Sequence, residues 1–107
     1  MSENYYLDVK LILQDPEEVP VAYLKKNILE ALRELFGEIG ATITIDILKF
    51  NPETLEAIIR VPESHYIKLR GSLTLCGRYE GKRCIYSVRK STPVLLALQG
   101  DSRNYIH

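Results

Sequence analysis

The hydrophobic period of this chain switches repeatedly between two residues and three to four, and the order of those switches constrains the fold more than any other feature of the sequence. Residues 5–13 alternate, with Tyr5, Leu7, Val9, Leu11 and Leu13 on one side and Tyr6, Asp8, Lys10 and Ile12 on the other. That is the period-two pattern of a half-buried strand. Asp15-Pro16 opens a turn, and Pro20 suits the first position of a helix because its missing N–H is not needed there. From there to about Phe36, Val21, Leu24, Ile28, Leu32 and Leu35 recur at spacings of three and four, while Lys25, Lys26, Arg33 and Glu34 fall elsewhere on the wheel. The spacing predicts an amphipathic helix laid on a sheet. Gly37 comes next, where a residue tolerant of positive φ closes the last turn.

Alternation returns over residues 41–50, with Ile43, Ile45 and Ile47 inward, and over 54–61, with Leu55, Ala57, Ile59 and Val61 inward. Asn51-Pro52-Glu53 between them has the residues of a type I turn, so the two strands are expected to form an antiparallel hairpin. Pro62 ends the third strand and Ser64 is expected to cap a second helix, whose buried stripe is Tyr66, Leu69, Leu73 and Cys76 and whose end is Gly77. Gly71 is its weak point. After a turn at Tyr79-Glu80-Gly81, residues 82–90 form a fourth strand with Cys84, Tyr86 and Val88 inward. Thr92-Pro93 then starts a short apolar segment, Val94 to Leu98, closed by Gly100. The resulting order, β-α-β-β-α-β, is that of an α+β sandwich of ferredoxin-like or RNA-recognition-motif type. It predicts a four-stranded antiparallel sheet with two helices on one face and a short C-terminal element.

A chain of 107 residues has room for one such domain, spanning 1–107. With 46% hydrophobic and 26% charged residues it lies well away from disordered composition. No apolar run approaches the roughly 18 to 20 residues that cross a bilayer, and Met1-Ser2-Glu3-Asn4 lacks the start of a signal peptide. A soluble intracellular protein without membrane partners is expected. Cys76 and Cys84 have no second Cys or His pair that would complete a zinc site, and both read as core residues. The zero net charge hides an asymmetry. Residues 1–59 hold 5 Lys/Arg against 11 Asp/Glu, and residues 60–107 hold 9 against 3. Such a split hints at a nucleic-acid or charged protein partner.

The side of the sheet away from the helices is the functional question. The alternation places Tyr6, Ile12, Leu48, Phe50, Ile58 and Ile85 there, among Asp8, Lys10, Thr44, Asp46, Glu56, Arg60, Arg83 and Arg89. An RNA-recognition motif would stack bases on aromatic residues of its first and third strands. Residues 54–61 contain no aromatic residue. Stacking contributes roughly 1 to 3 kcal/mol per base, so its loss removes the main source of single-strand affinity. Aliphatic residues among charges fit a protein interface instead, and Tyr6, Ile12, Leu48, Phe50, Ile58, Arg60 and Ile85, with Val94 and Leu95 beyond the last strand, are the expected contact residues. The plain alternative is a solvated sheet face with a few exposed apolar side chains. Lys82, Arg83, Arg89 and Lys90 are expected to meet RNA phosphates or an acidic partner.

No catalytic constellation emerges. His65 and His107 have no nucleophile or carboxylate placed beside them, and the facing pair Asp46 and Glu56 has Lys10, Arg60 and Arg83 equally near. The glycine-spaced run Gly77-Arg78-Tyr79-Glu80-Gly81-Lys82 joins a helix to a strand, the reverse of a phosphate-cradling loop. No catalytic residue, metal or cofactor is expected.

Three stretches carry a family resemblance. They are Leu35-Phe36-Gly37-Glu38 with Ile45-Asp46-Ile47-Leu48, the run from Ser72-Leu73-Thr74-Leu75-Cys76-Gly77 through Arg83-Cys84, and Pro93-Val94-Leu95-Leu96-Ala97-Leu98-Gln99-Gly100-Asp101-Ser102-Arg103. Together they resemble the fourteen-kilodalton protein subunits of eukaryotic ribonuclease P, over nearly the whole chain. A paralogous branch of that superfamily carries a Ser-Gly-Thr-Ile type motif after its fourth strand, where this chain reads Ser91-Thr92-Pro93-Val94-Leu95. The resemblance implies a non-catalytic scaffolding subunit of a nuclear and nucleolar ribonucleoprotein whose RNA removes the 5′ leader of precursor tRNA. It also implies a hetero-oligomer with ribonuclease P RNA, a paralogous sheet-bearing subunit and a thirty-kilodalton barrel-shaped subunit. A free-standing RNA-binding module and a small ferredoxin-like ligand-binding regulator are the competing classes. The first predicts single-strand binding by the isolated chain, and the second a concave pocket with convergent polar groups.

Overall fold

A computed structural model describes residues 3–95. Its elements are β1 (Asn4–Leu13), α1 (Val21–Ala41), β2 (Asp46–Asn51), β3 (Glu56–Pro62), α2 (Tyr66–Leu75), β4 (Arg78–Tyr79) and β5 (Lys82–Thr92). They build one antiparallel sheet in the order β2-β3-β1-β5-β4. Leu7, Val9 and Leu11 of β1, Ala57, Ile59 and Val61 of β3, and Cys84 and Tyr86 of β5 meet Leu24, Ile28 and Leu32 of α1 and Leu69 and Leu73 of α2 in a single core. The alternation of each strand and the stripe of each helix thus converge on one face. Among the described residues no helix is long and apolar enough to cross a membrane.

The sheet has five strands where four were expected. The extra one, β4, is two residues long and turns back on the start of β5, with Arg78 opposite Arg83 and Tyr79 opposite Lys82. Glu80 and Gly81 between them have φ of 47° and 76°. Positive φ at both central residues is the mark of a two-residue type I′ hairpin, whose twist matches that of the strands it joins. Tyr79 is buried and anchors the hairpin to the core. A strand this short leaves no alternation to read.

Gly37, at φ 64° and ψ −139°, breaks α1 directly after Phe36, where the sequence placed its end. A further helical turn then folds back, and Gly40 lands on the first run: a Cβ there would lie 2.2 Å from the Leu32 carbonyl oxygen. Thr42 closes this turn by donating its hydroxyl to the Ile39 carbonyl at 2.7 Å. The turn occupies the expected beginning of the second strand, so Ile43 and Ile45 are buried without strand pairing and β2 starts at Asp46.

Two bulges re-aim side chains. In β2 the register with β3 shifts between Ile47 and Lys49, so that Ile47 faces Ile59 and Lys49 faces Ile58, leaving Leu48 inserted. One extra residue reverses the phase of the rest of the strand. Phe50, expected on the outer face, therefore sits opposite Ala57 and packs into the main core. In β5 the register with β1 shifts opposite Asp8 and Val9, and Arg89 is the residue inserted between the two registers.

The connection between β2 and β3 has the expected turn at Asn51 but is longer than expected: it runs through Leu55, whose φ is 60°, and β3 starts at Glu56 rather than at residue 54. The Asn51 side-chain oxygen accepts from the backbone N–H groups of Glu53 at 2.9 Å and Thr54 at 3.3 Å. Ser64, in contrast, caps nothing. It lies inside a 3₁₀ turn, Glu63–His65, and neither that turn nor α2 has a side-chain cap.

Candidate interaction surfaces

The outer side of the sheet is closed at its centre. Ile58 is 0% exposed and forms a small second cluster with Tyr6, Leu48 and Leu95. Tyr6 and Ile58 come from adjacent strands, the β2 bulge delivers Leu48, and Leu95 arrives from the chain beyond β5. Four of the expected interface residues are thereby gathered, but largely as a contact of the chain with itself. Val94 stays exposed. The expected segment to Leu98 and Gly100, with Arg103 and His107, extends outside the described residues.

Around this cluster lie ion pairs. Arg60 donates Nε and Nη2 to one Asp46 oxygen at 3.2 and 2.9 Å. Arg89, turned by its bulge, donates to Asp8 at 2.8 Å and also pairs with Glu56, tying β5, β1 and β3 together. The Thr54 side chain and then the Arg89 guanidinium hold the Glu56 carboxyl below the usual carboxylate range, against the opposing effect of burial. Asp46 and Glu56 therefore each have a cation of their own rather than each other. This is charge-assisted bonding that fixes strand geometry.

The four basic residues singled out in the sequence fall into two places. Arg89 and Lys90 belong to the β5 bulge, where Lys90 lies opposite Asp8. Lys82 and Arg83 belong to the β4–β5 hairpin. Lys82 pairs with Glu17, whose carboxylate raises the ammonium pKa. Arg83 is exposed beside Ile12 and Ile85, which are cross-strand partners and both exposed. These three, with Arg78 and Cys84, border an open depression at this end of the sheet. Arg78 was missed in the sequence. The signal that finds it is Glu80-Gly81, since a two-residue hairpin puts Arg78 directly across from Arg83.

Cys76 and Cys84 are free thiols. Burial, with the neighbouring Cys76, pushes the Cys84 thiol up to about 12. Tyr86, buried next to it, accepts a 2.7 Å hydrogen bond from the Asn27 amide, and its pKa is likewise raised by burial. Both groups are neutral through the physiological range. Among the described residues no group of three His, Cys, Asp or Glu side chains is placed to hold a metal ion.

The helix side presents a different surface. Leu35, Ile39, Ile67 and Leu75 are exposed there, and Ile67, Gly71 and Leu75 lie four residues apart along one line of α2. A helix apolar on its outer as well as its inner side escapes a reading that assigns each helix one buried stripe.

Comparison with known proteins places this architecture. The model of the Rpp14/Pop5 family matches residues 5–94, which is most of the chain and spans the fold from β1 to β5 except for Asn4. The chain belongs to the Rpp14/Pop5 family. It is 42% identical over 106 residues to the Mus musculus protein named ribonuclease P protein subunit p14, covering 98% of this chain and 87% of that one. The Homo sapiens protein of the same name is also 42% identical, with 86% of its length covered. These relatives agree with the branch to which the residues after the fourth expected strand pointed. The fold is similar to that of a chain in the cryo-EM structure of yeast ribonuclease MRP, with a TM-score of 0.74 at 14% identity, covering 92% of this chain and 88% of that one.

Proposed function

We propose that this Rpp14/Pop5 family member is a non-catalytic scaffolding subunit of a ribonuclease P ribonucleoprotein, supporting removal of the 5′ leader from precursor tRNA. The observation that carries the reading is 42% identity to ribonuclease P subunits across almost the entire chain. The geometry supports it in two ways. Asp8, Asp46 and Glu56 on the sheet are each tied to a guanidinium and do not form an acid–base pair with one another. β3, where an RNA-recognition motif carries stacking aromatics, has none. Chemistry then belongs to the RNA and its bound metal ions.

In this reading the chain is one domain of ferredoxin-like type, with β4 added to the edge beside β5. It works in the nucleus and nucleolus within a hetero-oligomer containing a paralogous sheet-bearing subunit, a thirty-kilodalton barrel-shaped subunit and ribonuclease P RNA. RNA phosphates are met at the hairpin, through Arg83 with Arg78 and Lys82 beside it. Lys90 and Arg89 contribute from the bulge, where Arg89 already serves Asp8 and Glu56.

Affinity purification of tagged protein from its native cells tests this, with sequencing of the RNA and identification of the proteins recovered. Ribonuclease P RNA with precursor-tRNA cleavage activity is the expected result, weakened by charge reversal at Arg83. Recovery of neither that RNA nor other subunits overturns the reading. Tight binding of single-stranded RNA by the isolated chain would favour a free-standing RNA-binding module.

A further inference from the structure

We infer that the seam between α1 and α2 is a docking groove for a basic, partly apolar segment of another protein in the same particle. The inference rests on the subunit reading only for where the partner is sought. The groove itself is built by packing. The two helices run antiparallel, with Lys68 Nζ 5.9 Å above the Phe36 ring at one end and the Asn27 amide 3.8 Å from Cys76 Sγ at the other. Between these points a cleft of about 240 Å³ opens among Ala31, Leu35, Ser72 and Leu75. It continues into a second depression of about 210 Å³ that reaches the β4–β5 hairpin and shares Ala31, Glu34, Leu75 and Cys76 with the first.

Three observations describe what fits there. The groove is open and mostly polar, with an apolar spot where Leu75 is 70% and Leu35 44% exposed. Ser72 is 1% exposed and borders the cleft, yet its hydroxyl has no hydrogen-bond partner. A helical serine can return its hydroxyl to the carbonyl one turn back, and Ser72 does not, so a buried polar group without a partner lies at the floor of the groove. Glu30, Glu34 and Glu80 border the groove, and among the described residues none has a cation within 4 Å. Arg78, the basic residue at this end, donates instead to the Gly81 carbonyl at 3.1 Å. Glu30 also borders a depression lined by Lys25, Lys26 and Arg33, so the acidic character of the groove rests mainly on Glu34 and Glu80, and carboxylates beside two exposed leucines disfavour phosphate and favour Lys or Arg. The occupant is therefore a protein segment that inserts an aliphatic side chain between Leu35 and Leu75 and sets cations against the three glutamates.

The test uses the full chain in its native particle, with Leu75→p-benzoylphenylalanine as photocrosslinking probe and the same substitution at Glu53, exposed in the β2–β3 turn, as control. The Leu75 probe is expected to link to one Lys/Arg-bearing segment of another protein, identified by mass spectrometry. The combined variant Glu30→Lys, Glu34→Lys and Glu80→Lys, folded by circular dichroism, is expected to lower that crosslink about tenfold or more, three modest rim contacts together reaching that size. Glutamine at the same positions should give an intermediate loss. A crosslink from Leu75 to RNA, to an acidic segment or to a second copy of this chain overturns the inference. So does the absence of any crosslink while ribonuclease P RNA still co-purifies, and in that case the subunit reading stands. If the RNA does not co-purify, that reading fails separately, and the groove is still decided by what Leu75 links to.

Discussion

On the outer face of the sheet Asp8, Asp46 and Glu56 each lie against a guanidinium of the same chain, whereas along the helix seam Glu30, Glu34 and Glu80 lie against none among the described residues. The apolar groups differ in the same sense. Ile58 is sealed under Tyr6, Leu48 and Leu95, while Leu35 and Leu75 stand open. The sheet face thus directs its charges and its hydrophobic cluster into holding the chain together, and the seam leaves both for something else to meet. A mixed polar and apolar face is not by itself an interface. What matters is whether its members already satisfy one another.

That contrast can be broken most forcefully by truncating one aliphatic residue on each side. Ile58→Ala empties a fully enclosed site and is expected to cost about 2–5 kcal/mol in urea unfolding. Leu75→Ala removes a mostly exposed side chain and should stay within about 0.5 kcal/mol. Similar large losses would mean that the seam is part of the core as well, and similar small losses that the sheet cluster is not. Arg89→Met is the next largest. It removes the cation that bonds both Asp8 and Glu56, whose side chains are only 14% and 13% exposed. A loss of about 1–3 kcal/mol is expected, against about 0.5 kcal/mol or less for Glu34→Gln. Arg89→Met with wild-type stability would remove the claim that the bulge serves the fold.

Titration sharpens the same comparison from both ends of the pH scale. Glu56 has its carboxyl lowered in the fold, so its contribution is present above the unfolded carboxylate pKa of about 4.3 and fades as pH falls through the lower folded value. Glu56→Gln should therefore flatten the acid limb of the stability curve. At the other end, the Cys84 thiol is raised from an ordinary value of 9.0 to about 12 in the core. Its neutral form is favoured by the fold, so stability is intact below pH 9 and declines from there toward about 12. Cys84→Ala would remove that part of the alkaline decline, leaving the part due to Tyr86, whose pKa is also raised by burial.

Much of this arrangement was legible in the sequence, and the gaps have specific causes. Strict alternation at Leu7, Val9 and Leu11, and helical spacing at Leu24, Ile28 and Leu32, marked the sheet and its cover because those residues all face one way. Gly37 marked the break in α1. Phe50 was misplaced because one inserted residue, Leu48, inverts the face of the residues after it, and a bulge has no signature in apolar periodicity. β4 was missed because two residues carry no period. The groove was invisible for a different reason. Ile67, Gly71 and Leu75 look like neighbours of a buried stripe until the packing of α1 shows which side of α2 is covered, and the isolation of Glu34 is a fact of space rather than of spacing.

The smallest expected effect concerns two adjacent cations of the hairpin. Lys82 is already paired with Glu17, while Arg83 stands beside exposed Ile12 and Ile85. A cation that meets an RNA phosphate releases counterions, and each such contact adds about 0.7–0.9 to the slope of log affinity against log salt concentration. Arg83→Ala should therefore lower the salt slope of RNA retention in the assembled particle by about that amount. Lys82→Ala should leave it nearly unchanged, because its ammonium exchanges one carboxylate for water rather than a phosphate for counterions. Neither change should move the urea midpoint, since both side chains lie on the exposed surface of the hairpin. Equal slope losses would show that Lys82 abandons Glu17 on binding. No loss from Arg83→Ala would take the hairpin out of the RNA interface and leave the β5 bulge as the candidate contact.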